Sequence, residues 1–97
     1  MKISKNLNGT ALTIGLEGRL DTTTAPELEK ELNGLSGVDQ LTLDFTGLEY
    51  ISSAGLRVLL SAHKIMSRKG GMKVTHVNEI VNEVFEVTGF SDILTIE

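Results

Sequence analysis

LDFTGLEYISSAGLRVLL, Leu43 to Leu60, is the stretch that decides how this chain folds. Gln40 to Phe45 places Leu41, Leu43 and Phe45 at every second position, the period of a strand with one buried face. Thr46 to Ser53 reads as a loop that ends in two serines, Ser52 and Ser53. Ala54-Gly55 then leads into Leu56, Leu59, Leu60, His63 and Met66. Their spacing is that of one helix face, which Val58, Ala62 and Ile65 widen. Strand, loop and helix therefore follow one another. The arrangement sets hydroxyl groups at a helix N-terminus, where backbone N–H groups lack partners and the helix dipole is positive. Such a place stabilises negative charge, phosphate included.

Working outward toward the N-terminus, Thr10 to Glu17 alternates cleanly, with Leu12, Ile14 and Leu16 against Ala11, Thr13, Gly15 and Glu17. Lys2 to Leu7 reads as an edge strand, and Asn8-Gly9 joins the two as an antiparallel hairpin, since both residues tolerate positive φ. Gly18 to Thr24, GRLDTTT, reads as a loop. Thr24 and Glu27 have capping-box spacing and Pro26 suits a first helical turn, so a first helix is expected over Ala25–Leu32, stopped by Asn33-Gly34. Toward the C-terminus, the second helix is expected over Ala54–Lys69 and to end at Gly70-Gly71. A strand over Met72–His76, a third helix over Glu79–Thr88 capped by Asn78, and a last strand over Ile93–Ile96 complete the reading.

The order ββαβαβαβ defines an α/β fold. An antiparallel hairpin leads into a mainly parallel sheet, because strands separated by helices require right-handed crossovers, and the helices pack on that sheet. Residues 1–97 are expected to form one domain. In open sheets of this kind the functional loops lie beyond the carboxyl ends of the parallel strands. Those loops are Gly18–Thr24 and Thr46–Ser53. If their strands are neighbours, Asp21, Thr22 and Thr23 come close to Ser52 and Ser53. The sequence leaves the strand order open.

The bulk properties remove whole classes of function. The chain has 97 residues, enough for one small core. It has no cysteine and only His63 and His76, which argues against disulfides, thiolate chemistry and a structural metal site. A net charge of −4 argues against direct nucleic-acid binding, which needs a basic face. No apolar run approaches the roughly 18 residues of a membrane span. The start, MKISKNLNGT, lacks the apolar stretch of a signal peptide, so a cytoplasmic location is expected.

The candidate residues each carry two readings. Ser53 is a helix N-cap, contributing about 1 kcal/mol, or a phosphoacceptor that also caps. Arg57, one turn later, is a solvated arginine or a partner for that phosphate. Asp21 orders its loop through an Asx turn or belongs to a partner surface. Asp44, near the end of a buried strand, accepts hydrogen bonds at the strand mouth or has a functional role, since an unpaired charge there would be costly. His63 is expected to pack on a helix face and His76 to end a strand. Enzyme readings find no support: there is no G-x-S-x-G elbow, no G-x-x-x-x-G-K-[ST] loop and no metal-ligand spacing.

At GRLDTTTAPELE, at DFTGLEYISSAGLRVLL, and at the G-F-x-x-x-L pattern of Gly89–Leu94, the chain resembles the anti-sigma factor antagonist family, whose domain is called STAS. The resemblance covers essentially the whole chain. It implies a protein that is not an enzyme and needs no cofactor. In the family, the unphosphorylated antagonist binds an anti-sigma factor that is also an ATP-dependent serine kinase, and so frees the sigma factor. Phosphorylation of a serine at the start of the second helix weakens the complex, and a phosphatase resets it. The family commonly reads D-S-[ST]-G-L in this loop. Aligned on Gly55-Leu56, Ser52 stands where the aspartate is, Ser53 at the first serine and Ala54 at the second hydroxyl residue. The resemblance thus implies Ser53 as phosphoacceptor, with Ser52 in reserve. The partner patch is expected at Asp21, Thr22, Thr23, Ser52, Ser53, Ala54, Gly55 and Arg57. The rival reading is a non-switching STAS adaptor of a transporter-associated or stress-signalling complex. A third is an enzyme or small-ligand carrier built on the same strand mouth.

Overall fold

The two-residue alternation of Leu12, Ile14 and Leu16 with Ala11, Thr13 and Gly15 sets the architecture. The computed structural model describes all 97 residues, Met1–Glu97. Its elements are β1 (Lys2–Asn8), β2 (Ala11–Leu20), α1 (Ala25–Leu32), β3 (Gln40–Ile51), α2 (Ser53–Met66), β4 (Met72–Thr75), α3 (Glu79–Thr88), a 3-10 turn (Phe90–Asp92) and β5 (Thr95–Ile96). The strands form one mixed sheet in the sequential order β1-β2-β3-β4-β5. β1 pairs antiparallel with β2, with Asn8 opposite Ala11 across a turn in which Gly9 adopts φ +66°. The other three pairings are parallel. The strand order left open by the sequence is therefore the simplest one.

Sequential order and right-handed crossovers put α1, α2 and α3 on the same face of the sheet. On that face Leu12, Ile14, Leu16, Leu41, Leu43, Phe45, Met72 and Val74 are buried, together with Leu28, Leu59, Met66, Val81 and Phe85 of the helices. The rings of Phe45 and Phe85 lie with centroids 6.4 Å apart, within the range of aromatic pairing. The opposite face carries Thr13, Thr42, Asp44 and Thr75, half-buried, and Lys73, exposed. Parallel strands covered on both faces read as continuous apolar runs. The clean alternation of β2 and β3 reflects a sheet covered on one side.

The structure corrects several boundaries. β2 and β3 do not stop at Glu17 and Phe45 but run on, paired, to Leu20 and Ile51. Gly18 and Gly47, which read as loop signals, sit instead at irregularities in this pairing, with register shifts between Gly15 and Glu17 and between Gly18 and Arg19. Gly18 has φ +101°, a conformation glycine adopts without strain. A Cβ on Gly47 would lie 2.6 Å from Cγ of Glu17, so only glycine lets the strands approach there. The expected loops Gly18–Thr24 and Thr46–Ser53 thus shrink to a turn over Asp21–Thr24 and to the single junction residue Ser52. α2 ends at Met66, not Lys69; Ser67–Gly70 form turns. β4 ends at Thr75, where His76 turns the chain with φ +58°. β5 starts at Thr95 because the 3-10 turn precedes it.

The expected cap of α3 is present. Asn78 accepts from the Val81 amide at 2.8 Å and also donates from Nδ2 to the Leu48 carbonyl at 2.8 Å, tying α3 to β3. The expected capping box of α1 is not formed. Thr24 occupies the N-cap position, but its hydroxyl donates to the Arg19 carbonyl at 2.7 Å and accepts from the Asp21 amide at 2.8 Å. Asp21 has taken over the work of the cap.

Candidate functional site

The site is built where β2 and β3 end side by side. Leu20 lies opposite Ile51, and the Leu20 carbonyl accepts from the Ser52 amide at 2.9 Å. Asp21 therefore leaves the sheet beside Ser52. One carboxylate oxygen of Asp21 accepts from the Thr23 hydroxyl at 2.7 Å, the Thr23 amide at 3.0 Å and the Thr24 amide at 3.2 Å. Its carbonyl accepts from the Ala25 amide at 2.8 Å. This is an Asx turn that holds the loop and opens α1. The bond from the Thr23 hydroxyl, supported by the two amides, keeps the Asp21 carboxyl below its ordinary pKa, while partial desolvation works the other way.

α2 is pressed against these strand ends. A Cβ on Gly55 would lie 2.7 Å from Leu20 Cγ and 2.9 Å from Ile51 Cγ1. Only glycine lets the first turn of α2 sit so close. The Asp21–Thr23 turn and the first turn of α2 consequently share one end of the sheet. Of the residues expected in the patch, Thr22, Thr23, Ser53 and Arg57 are exposed, Asp21, Ser52 and Ala54 are half-buried, and Gly55 is buried beneath them. Arg57 has no carboxylate within ion-pairing distance.

The two serines differ sharply. The expectation that Ser53 is the N-cap is corrected: Ser52 holds that position, with extended backbone at φ −102°, ψ 177°, and Ser53 is the first helical residue. The Ser52 hydroxyl nevertheless caps nothing. Its Oγ is buried without a hydrogen-bond partner. The first helical bond comes from the Leu56 amide to the Ser52 carbonyl at 3.0 Å, leaving the amides of Ser53, Ala54 and Gly55 as the open donors of the helix end. No acidic residue in the first turn answers the dipole. An unsatisfied buried hydroxyl stabilises nothing. Ser52→Ala should therefore be at least as stable as wild type in chemical denaturation, where loss of a working cap would cost about 1 kcal/mol.

Asp44 lies within β3, on the face without helices, and accepts as its position required. Its Oδ1 takes the Thr46 hydroxyl at 2.6 Å, the Thr46 amide at 3.0 Å and meets Nδ1 of His76 at 3.1 Å. The Thr46 hydroxyl first, and then its amide, hold the Asp44 carboxyl below the ordinary value of 3.8 against the opposing effect of burial; His76 adds to the lowering. A depressed folded-state pKa gives stability that is present above the unfolded value and lost as pH falls through the folded one. Asp44→Ala should thus be less stable than wild type at neutral pH, and the gap should narrow as pH falls below 3.8 and through the lowered folded-state pKa. Denaturation at a series of pH values checks this; a gap that persists in acid contradicts it.

Sequence reading missed Arg19 and Tyr50. The continued pairing sets them opposite each other, with the Arg19 guanidinium 4.5 Å from the centre of the Tyr50 ring. The visible signal was the return of Leu20 and Ile51 after the glycines, which continues both strands. The two clefts of the structure lie elsewhere. The larger, about 330 Å³, opens among Gln40, His63, Ser67 and Lys73, and the other among Lys5, Leu7 and Glu31. Neither includes a residue of the strand mouth that a small-ligand carrier would use.

A one-sided sheet with a serine at the mouth of the central helix defines a class. The chain matches the family model described as Mlab, STAS domain, over residues 3–95. BtrV of Bordetella bronchiseptica, assigned as an anti-sigma factor antagonist, is 35% identical over 99% of this chain and 85% of its own length. The anti-sigma-B factor antagonist of Bacillus subtilis is 29% identical over 92% of this chain and 84% of its own. Among solved structures, the anti-sigma factor antagonist SpoIIAA in its unphosphorylated form superposes with a TM-score of 0.84 at 16% identity, covering 99% of this chain and 88% of that one. Its phosphorylated form superposes with a TM-score of 0.77 at 15% identity, covering 99% and 91%. The chain belongs to the STAS-domain family, among the anti-sigma factor antagonists. The relatives it matches are named as antagonists of anti-sigma factors, binding proteins rather than enzymes. No helix is long and apolar enough to cross a membrane.

Proposed function

We propose that this protein binds an anti-sigma factor with serine kinase activity through the first turn of α2 and the Asp21–Thr23 turn, and that phosphate on Ser53 switches the binding off. The observation that carries this is the exposure of Ser53 at the first position of a helix whose end amides are open and whose first turn has no acid. A phosphoserine adds about −1.5 to −2 charges at neutral pH. The helix end accommodates that charge, so the fold tolerates it. A partner that must desolvate it on docking does not. Burial of the Ser52 hydroxyl supports Ser53 over Ser52 as acceptor, and Ala54 has no hydroxyl. SpoIIAA, whose fold this chain shares, exists in both forms. A phosphatase would reset the switch, and the setting would be the cytoplasm.

The second reading, a non-switching adaptor, draws on Ser52. The family's acidic residue is absent from the position before the acceptor. Capture from the protein's own cells separates the readings. Wild type and Ser53→Ala should both retain the anti-sigma factor, and Ser53→Asp should lose it. Equal capture by all three points to the adaptor.

A further inference from the structure

We infer that Arg19 and Tyr50 form a carboxylate-binding element of the partner surface, so that the anti-sigma factor presents an acidic side chain to them. The inference rests on the antagonist reading above and extends the patch beyond the serine turn.

The register shift between Gly18 and Arg19, where β3 carries the extra residue Glu49, sets Arg19 opposite Tyr50 and leaves Leu20 opposite Ile51. Leu20 and Ile51 are buried among the helices, so their predecessors project from the other face of the sheet. Each stands one residue before a segment of the patch: Arg19 before Leu20-Asp21, Tyr50 before Ile51-Ser52. The guanidinium is oriented twice. It lies 4.5 Å from the Tyr50 ring centre, in cation–π range. Its Nε forms a long ion pair with Oδ2 of Asp21 at 3.9 Å, too far for a hydrogen bond. The other Asp21 oxygen is engaged by Thr23 and Thr24. Arg19 thus makes no side-chain hydrogen bond, and its side chain is 62% exposed.

A planar guanidinium with five donors matches a carboxylate bidentately. Its stacking on Tyr50 reduces the rotamer freedom lost on binding. Arginine and tyrosine are also the side chains that most often dominate interfaces. Arg57, the other cation of the patch, lies on α2, so Arg19 is the cation at the strand ends, paired at long range with Asp21.

The test titrates the full-length protein with the anti-sigma factor captured by wild type, at two salt concentrations. Arg19→Gln should weaken binding by about 10- to 100-fold and reduce its salt dependence, as loss of a charge-assisted pair does. Tyr50→Phe, which keeps the ring face, should stay within about twofold of wild type, and Tyr50→Leu should lose about fivefold. Melting temperatures should change by no more than about 2 °C, because the pair is at the surface. Wild-type binding with an unaffected Arg19→Gln variant overturns this inference alone. Failure of wild type to bind any anti-sigma factor overturns the antagonist reading and the inference with it.

Discussion

Ser53→Asp is expected to weaken binding of the anti-sigma factor by about 2–5 kcal/mol, roughly 30-fold or more, while the protein melts no lower than wild type. The two effects have opposite causes at one residue. Ser53 is exposed and is the first residue of α2, with no acidic neighbour in the turn. A carboxylate there faces open amides and the positive end of the dipole, which contributes about 0.3–1 kcal/mol to the free protein. In a complex, the same charge is taken from water against a surface shaped for a neutral hydroxyl. Ser53→Ala removes the hydroxyl without adding charge and should bind like wild type. Calorimetric titration and thermal denaturation of the three proteins give both numbers. A Ser53→Asp protein that is destabilised, or that binds as wild type does, contradicts the account.

Leu20→Ala is expected to cost about 2–5 kcal/mol of stability, which lowers the melting temperature of a domain this size by 8 °C or more on the scale of about 4–8 °C per kcal/mol. Leu20 is fully buried and touches the space that a side chain on Gly55 would occupy. Its loss opens a cavity under the first turn of α2, directly beneath the patch. Gly55→Ala is the complementary change: its methyl group would press on Leu20 and Ile51, and overpacking of this kind costs about 1–3 kcal/mol. Because the two residues share one space, their effects should not add. In the Leu20→Ala background the added methyl finds room, and the penalty of Gly55→Ala should shrink by about 1 kcal/mol. A full denaturation cycle measures this coupling. Strict additivity would mean that the helix start does not rest on Leu20.

Much of the fold was legible because its signals are local. The hairpin at Asn8-Gly9, the alternation of Leu12, Ile14 and Leu16, and the cap at Asn78 are each fixed by neighbours in sequence. The errors arose where a residue's role depends on another strand. Gly18 and Gly47 are glycines for the sake of a bulge and a close strand approach, and sequence cannot distinguish that need from a turn. Reading them as loops cut β2 and β3 short and hid Arg19 and Tyr50, which acquire meaning only as a cross-strand pair. Thr24 has capping-box spacing, yet Asp21 and the Arg19 carbonyl claim its hydroxyl. Ser53 looked like the cap because either serine fits one; burial of the Ser52 hydroxyl is a tertiary feature that the local sequence does not carry. The expected meeting of the Asp21 turn with the serine turn depended on one assumption, that β2 and β3 are neighbours, and they are.

The central claim is that Ser53 is a phosphorylation switch. Its most direct test is phosphosite mapping by mass spectrometry on protein purified from its own cells under phosphatase inhibition, in growth and under stress. The account predicts phosphate on Ser53, with Ser52 unmodified, and the phosphorylated fraction free of the anti-sigma factor. A peptide that is reproducibly unmodified at Ser53 under all conditions would contradict it and leave the protein a passive adaptor.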